Sequence, residues 1–386
     1  LHPTVARATV IVMDACGVGA LPDAAGYGDT GTNTLGHLAQ LAGGLKLPAL
    51  QSLGLGCILP LEGVAPATAP VLHGRLAAQG PGKESTTGHW ELMGVRVDRP
   101  LPTYPGGFPD AVVRELQQAT GLNFCVNAPY SGTAVLEDHA EHHLRTGELI
   151  LYTSADSVLQ LAAHVDVLAE DRLIAACRQA RLVMTGEHAI GRVIARPFDG
   201  RAGAWHRRPG RRDFAVPPPG RSYLQALQAA AVAVHSVGKI NDLFAGIVVD
   251  VTHPGATNAE AIATTTALLG ELDAGFIFVN LVETDQTYGH RHDVPGFAAA
   301  LAVIDAAVAR WLPSLRDDDL FVLTADHGVD PGTAHTDHTR EYAPLLASFA
   351  GHAGRRHDGA LADVGASVLM WLTGRRAPDL PGTSFV

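Results

Sequence analysis

The sequence predicts an α/β fold with a mostly parallel sheet and an inserted α+β cap domain. Three observations carry that reading. Short β-branched runs alternate with Ala-rich helical stretches. Three of those runs end at an aspartate or at an Asp and His cluster. The middle of the chain breaks the alternation with segments rich in Pro, Gly and Arg.

Residues 8–13 (ATVIVM) form the first predicted strand, which ends at Asp14-Ala15-Cys16-Gly17, a Gly-containing turn. After the Pro-rich stretch 99–109 comes a helix near 109–120, then a strand near 149–153. The Arg-, Gly- and Pro-rich stretch 192–221 follows, and its Pro217-Pro218-Pro219-Gly220 reads as a hinge. Residues 244–249 (FAGIVV) are expected as a strand and 258–272 as a helix. Residues 275–282 (GFIFVNLV) are a strand that stops just before Glu283 and Asp285. A helix over 295–312 leads to the strand 320–324 (LFVLT), which ends at Asp326-His327-Gly328. This places an inserted cap domain at 100–218. Segments 1–99 and 219–386 then fold together as one discontinuous metal-binding catalytic core.

Composition narrows the function. A chain of 386 residues suits two domains, and 47% apolar residues can fill a sizeable core. With 17% charged residues, no large part reads as disordered. The formal charge of −11 argues against a nucleic-acid partner. No apolar run of the roughly 18 residues a membrane span needs is expected, and no signal segment. Cys16, Cys57, Cys125 and Cys177 lie far apart without a CxxC spacing, so reduced thiols and a cytoplasmic location are expected.

The chemistry concentrates in three clusters: Asp14; Asp285 with His290; and Asp326-His327 with His338. Each follows a predicted strand, and open α/β sheets bind ligands beyond the carboxyl ends of their strands. An aspartate after a single strand is commonly a helix cap. Three such clusters on one sheet edge can instead converge. Mixed Asp and His ligands suit Mn²⁺ or Zn²⁺, and six ligands suit two ions. Two ions about 3.5–4 Å apart clamp the attacking and leaving oxygens of a phosphoryl displacement. A fourth segment, Gly82-Lys-Glu-Ser-Thr-Thr-Gly-His-Trp-Glu91, offers three hydroxyls, on Ser85, Thr86 and Thr87. Any of them could attack phosphorus beside a divalent ion.

These segments resemble the motifs of the phosphopentomutase family, within the alkaline phosphatase superfamily. The metal motifs are Asp285-Gln-Thr-Tyr-Gly-His-Arg-His-Asp293, Thr324-Ala-Asp-His-Gly328 and Thr336-Asp-His-Thr-Arg-Glu341. Lys83 to Glu91 is similar to the nucleophile motif, and Asp14 to Asp23 to the amino-terminal signature. Tyr152 to Gln160, Gly191 to Phe198 and Val237-Gly-Lys-Ile240 look like cap-side and substrate segments. The chain departs from the family pattern at Glu84, Ser85, Glu283, Thr284 and Val329, and over His253 to Thr257, none of them a metal ligand.

The resemblance implies an alkaline-phosphatase-like core. One metal would be held by Asp14, Asp326 and His327, the nucleophile completing its shell. A second would be held by Asp285, His290 and His338, and manganese is the usual ion. The nucleophile lies four places before the motif histidine, here His89, which makes it Ser85. Thr86 or Thr87 is then left to cap the following helix. Ser154, Asp156, Arg192, Arg207 and Lys239 would hold the pentose phosphate. The implied activity is interconversion of ribose 1-phosphate and ribose 5-phosphate, and of the 2-deoxy sugars. It would pass through a phosphoenzyme and a sugar 1,5-bisphosphate, primed by a bisphosphate such as glucose 1,6-bisphosphate. Another metal-dependent phosphomutase or a phosphatase of the same superfamily is the alternative, and a metal-stabilised binding protein without turnover is a second.

Overall fold

A computed structural model describes residues 6–386 apart from Ala155, Asp156 and His352. The chain divides into two compact units, Leu1–Arg99 with Pro218–Val386, and Pro100–Pro217. Its strands in chain order are β1 (Arg7–Met13), β2 (Leu72–Ala77), β3 (Phe124–Pro129), β4 (Leu149–Thr153), β5 (Val158–His164), β6 (Arg192–Arg201) and β7 (Ala204–Arg207). Then come β8 (Arg212–Ala215), β9 (Val234–Val237), β10 (Val251–His253), β11 (Gly275–Leu281), β12 (Asp319–Thr324), β13 (Ala343–Ser348) and β14 (Gly359–Ala360).

The discontinuous unit is built on a sheet ordered β10-β9-β11-β1-β12-β13-β2-β14. From β10 to β12 every pair is parallel, and β13 runs antiparallel to both of its neighbours. All seven residues of β1 are buried, as are those of β11 and all six of β12. A strand covered on both faces reads as a continuous apolar run, which is why these three were legible. The register sets Met13 beside Leu281 and Val12 beside Thr324. The carboxyl ends of β11, β1 and β12 are therefore level, and the segments after them leave from one edge.

At the opposite end, Arg7 and Asp319 face each other in the ladder. Arg7 Nε donates to Asp319 Oδ1 at 3.0 Å, and Nη1 donates to the carbonyls of Leu269 and Leu272. Both side chains are almost fully buried. Removing one member strands the other's charge in the core, which costs about 3–5 kcal/mol. Asp319→Ala should accordingly lower the denaturation midpoint sharply, read by circular dichroism in urea. An unchanged midpoint would show that Arg7 finds other acceptors.

Residues 244–249, expected as a strand, are not one. A short helix, Ile240–Leu243, runs into a turn with positive φ at Ala245, Gly246 and Val248. Pairing falls instead to Val234–Val237 and to the edge strand Val251–His253. Gly246 in the middle of the apolar run was the signal for the turn.

Helix Val294–Trp311, continued to Ser314 by one 3₁₀ turn, is long and apolar enough to cross a membrane. It buries Phe297, Leu301, Ile304, Val308 and Trp311 in this unit's core. Asp305, also buried, accepts N–H bonds from Ala49 and Leu50 at the start of helix Pro48–Leu53. A carboxylate spent on a neighbouring helix start marks a core helix. This corrects the expectation that no apolar run reaches span length: Asp305 and Arg310 interrupt the run, so the sequence showed a helix over 295–312 but not one long and apolar enough to span.

The unit Pro100–Pro217 has the sheet β3-β4-β5-β6-β7, with β8 also paired to β6. Leu149 and Leu151 face helices Asp110–Thr120 and Glu170–Val183, sharing a core with Leu116 and Leu173. Ile150 and Tyr152 point the other way, to Val135, Leu136 and Ala140 of helix Ala134–Thr146. This two-residue alternation gives a sheet covered on both faces.

Candidate metal centre and nucleophile

Each feature of the centre begins with a local backbone decision. After β1, Ala15 takes a left-handed φ of 62°. That conformation is costly for a residue with a Cβ and is found where structure is held for function. It aims the Ala15 N–H at Asp326 Oδ1, 3.2 Å away. After β11 the chain enters a single π-helical turn, Thr284–Tyr288, and then a 3₁₀ turn, Gly289–Arg291. Wide turns of this kind re-aim side chains, here those of Asp285 and His290.

Helix Ser85–Leu92 begins on Ser85 itself. Gly88 lies on the face that meets β12's exit, and a Cβ there would sit 2.6 Å from the Asp326 carbonyl oxygen. The glycine in the Thr-Gly-His motif thus permits the close approach that brings Ser85 to the edge. Thr86 and Thr87 lie within the first turn and do not cap it. The Thr87 hydroxyl donates to the Glu84 carbonyl at 3.2 Å. The expected capping role is corrected for that reason.

The ligand candidates converge in two overlapping groups. Asp14, Asp326 and His327 bring one donor atom each within 4.8 Å of one another, and so do Asp285, His327 and His338. His290 joins the second group, its Nε2 lying 3.3 Å from Asp285 Oδ1 and 3.1 Å from His338 Nε2. Ser85 Oγ lies beside the first, 2.9 Å from His327 Nε2 and 3.4 Å from Asp14 Oδ1. The structure brings all six ligand candidates and Ser85 together.

The atoms left over fit divalent cations. Asp285 Oδ1 and Asp326 Oδ2 are buried and take no well-aligned hydrogen bond. Buried carboxylate oxygens set beside imidazole nitrogens at 3.1–3.4 Å make a donor set that a divalent cation would fit. His327 Nδ1 lies 3.1 Å from the Gly328 carbonyl and His290 Nδ1 2.7 Å from that of Thr336. Backbone acceptors at Nδ1 hold the proton there and leave Nε2 free to ligate. The electrostatics agree. Burial opposes a charge on His327, yet Asp326, Asp14 and Asp285 outweigh it and hold its pKa up to about 10. Burial, then the charges of Asp326 and Asp285, pushes the Asp14 carboxyl up. Burial pulls Asp285 upward too, but His338, His327 and His290 prevail and hold it low.

Supporting residues surround these groups. Asn280 Nδ2 donates to Asp14 Oδ2 at 2.9 Å. His89 Nδ1 lies 2.8 Å from the Ser85 carbonyl and 3.1 Å from Asp326 Oδ2, tying the helix to β12's exit. Asp29 accepts from Lys83 Nζ and from the Arg340 N–H, and Arg340 Nη1 donates to the Gly82 carbonyl. These contacts lock the loop before Ser85 onto the segment after His338. Sequence reading gave no role to Asn280, Asp29 or Arg340, because each acts through a partner 50 or more residues away. Glu283, a departure from the family pattern, accepts the Asn258 N–H at 2.7 Å while its own N–H reaches Asn258 Oδ1. It thereby takes up the first N–H of helix Asn258–Glu271, whose N-cap is Thr257.

Comparison with known proteins follows from this geometry. The profile of the metalloenzyme superfamily matches residues 6–374. The phosphopentomutase of Caldanaerobacter subterraneus subsp. tengcongensis is 45% identical over 385 residues, covering 98% of this chain and 97% of that protein. This chain belongs to the phosphopentomutase family. The phosphopentomutases of Anaeromyxobacter dehalogenans and Acetivibrio thermocellus are 46% and 42% identical, each covering 98% of both chains. Among solved structures, Leishmania mexicana phosphoglycerate mutase is 13% identical with a TM-score of 0.47, covering 98% of this chain and 97% of that one. Phosphopentomutases are isomerases that act by moving a phosphoryl group.

The phosphopentomutase-like substrate positions are placed as follows. Lys239 follows β9 at the same sheet edge as the metal groups, opening helix Ile240–Leu243. In the other unit, Ser154 follows β4 and Arg192 opens β6, both at one end of that sheet. Arg192 pairs with Asp213 at 3.6 Å. Arg207 is at the other end of the β6 ladder, opposite Phe198, and its Nε donates to the Gly132 carbonyl. Asp156 lies outside the described residues. Arg196, which sequence reading passed over, stands between them with its Nε donating to Gln160 Oε1 at 3.0 Å. Burial, then the charge of Arg211, brings its guanidinium down to about 10.

Proposed function

We propose that this chain interconverts ribose 1-phosphate and ribose 5-phosphate, and the 2-deoxy sugars, through a phosphate carried on Ser85. The observation that carries the reading is the Ser85 hydroxyl, 2.9 Å from His327 Nε2 at the meeting of two groups of metal-type ligands. Asp14, Asp326 and His327 would hold one divalent ion, and Asp285, His290 and His338 a second, manganese being the ion we assign. Such ions would acidify the serine hydroxyl and neutralise phosphoryl charge.

The chain's own residues would do the rest. Phosphorylated Ser85 gives its phosphoryl group to the free hydroxyl of a sugar monophosphate, forming a 1,5-bisphosphate. The bisphosphate turns over, and its other phosphoryl group returns to the Ser85 oxygen. Atoms and charge balance, and no water is consumed. A bisphosphate such as glucose 1,6-bisphosphate would load the serine at the start. We assign substrate recognition to Ser154, Asp156, Arg192 and Arg207 of the 100–217 unit and, in the discontinuous unit, to Lys239. Arginine forks and a lysine charge suit a phosphate dianion. We place the enzyme in the cytoplasm, in keeping with four cysteines that form no disulfide.

The test is conversion of ribose 1-phosphate with Mn²⁺ and glucose 1,6-bisphosphate, with free phosphate and phosphoglycerate isomerisation measured in parallel. Pentose isomerisation without phosphate release is expected. Phosphate release alone would make the chain a phosphatase, and phosphoglycerate turnover alone would move it to another mutase. Lys239→Ala should raise KM for the pentose phosphate about tenfold or more, the worth of a charged hydrogen bond of roughly 1.5–3 kcal/mol. Both metals should stay bound. If metal content fell instead and KM held, the lysine would belong to the metal centre.

A further inference from the structure

The unit Pro100–Pro217 brings together three donors that the proposed reaction does not use: Cys125, His142 and Glu148. One donor atom from each lies within 4.8 Å of the other two. The topology explains the meeting. Strands β3 and β4 are parallel, and helix Ala134–Thr146 is the crossover between them. Leu149 pairs with Phe124, so Cys125 and Glu148 sit at the entering ends of adjacent strands. The crossover helix stops beside them, its chain reversed by Gly147 at φ 78°. Its C-terminal part places His142 beside them, with Nε2 2.8 Å from Glu148 Oε2. None of the three is exposed and none fully buried, so a small ion can reach them.

We propose that Cys125, His142 and Glu148 form a separate site for a zinc-class ion, independent of the two-metal centre. The ligand chemistry sets the ion. A thiolate, an imidazole and a carboxylate suit Zn²⁺, at usual bond lengths of about 2.0–2.3 Å with water in the fourth position. A thiolate disfavours Mg²⁺ and Mn²⁺, which prefer oxygen. Those bond lengths put tetrahedral donors about 3.5 Å apart, so Cys125 Sγ closes from within 4.8 Å while His142 Nε2 and Glu148 Oε2 part from 2.8 Å. Binding exchanges protons for the ion: the Cys125 Sγ–H proton leaves to solvent, and the His142 proton now shared with Glu148 moves to Nδ1. That nitrogen is met in the free protein by Arg145 Nη2 at 3.4 Å, a weak exposed contact that yields. In the free protein, burial and then the Glu148 charge hold the Cys125 thiol up to about 11.

Cobalt(II) reports the site directly, since a thiolate ligand gives a near-ultraviolet charge-transfer band. None of the six residues of the two-metal centre is a cysteine. The full chain, preloaded with Mn²⁺ and kept reduced without thiols, is titrated with Co²⁺. One equivalent should raise the band, and Zn²⁺ should abolish it by displacement. Cys125→Ser should remove the band, and His142→Ala should weaken Co²⁺ binding at least about tenfold, since even groups around a metal's ligands are worth that much. Zn²⁺ should also slow alkylation of Cys125, mapped by mass spectrometry. A band that survives in Cys125→Ser would overturn the assignment. So would alkylation of Cys125 at the same rate with and without Zn²⁺.

Discussion

Ser85→Ala should remove the covalent phosphate and lower turnover by about 10⁴–10⁶-fold, the range seen when a nucleophile is deleted from a working centre. Only the oxygen is lost. Ser85 sits at the first position of its helix, and the neighbouring hydroxyls cannot replace it. Thr86 is buried, and Thr87 Oγ1 is engaged with the Glu84 carbonyl. The ligand groups do not depend on Ser85, so the variant should keep both metals and its far-ultraviolet spectrum. Phosphopeptide mapping and metal analysis on the same preparations read both points. Stoichiometric phosphate on Thr86 or Thr87, with a fully active Ser85→Ala chain, would falsify the assignment. Ser85→Thr is a useful companion, since it restores the oxygen with one extra methyl and should recover much of the turnover.

The second large effect concerns the metals. Asp285→Ala and His338→Ala should each lower bound metal from two ions per chain towards one, with activity down by several orders of magnitude. Asp285 is the common point, with His290 Nε2 and His338 Nε2 at 3.3 and 3.4 Å from its Oδ1. Removing it leaves two imidazoles with no charge to hold the ion. The group of Asp14, Asp326 and His327 keeps its donors in both variants. Full occupancy of both ions in either variant, measured by elemental analysis, would remove Asp285 or His338 from the second set.

The candidate site was legible in the sequence to an unusual depth for a mechanical reason. Asp14, Asp285 and Asp326 stand just after strands that are buried on both faces, and such strands announce themselves as unbroken apolar runs. Once β11, β1 and β12 are known to be parallel neighbours, the level register leaves the three aspartates one edge to share. Ser85 was narrowed from three hydroxyls by its distance from His89 in a family-like motif. The helix geometry supplies the physical counterpart, since His89 one turn on reaches back to the Ser85 carbonyl.

By itself the sequence determined the alternating α/β character, the break in that alternation over the middle segment, and the Asp, His and Ser residue types of the candidate centre. These rest on local periodicity and on short motifs, which are properties of neighbouring residues. Tertiary structure alone decided which of the apolar runs near 234–253 would pair, because a glycine turn at 246 competes with a β-branched run and only the ladder beside β11 settles it. It also decided that Asp29, Asn280 and Arg340 serve the centre, and that Cys125 meets His142 and Glu148. Those meetings join residues far apart in the chain, or set together by the end of a crossover helix, and no local pattern encodes a distance across a fold.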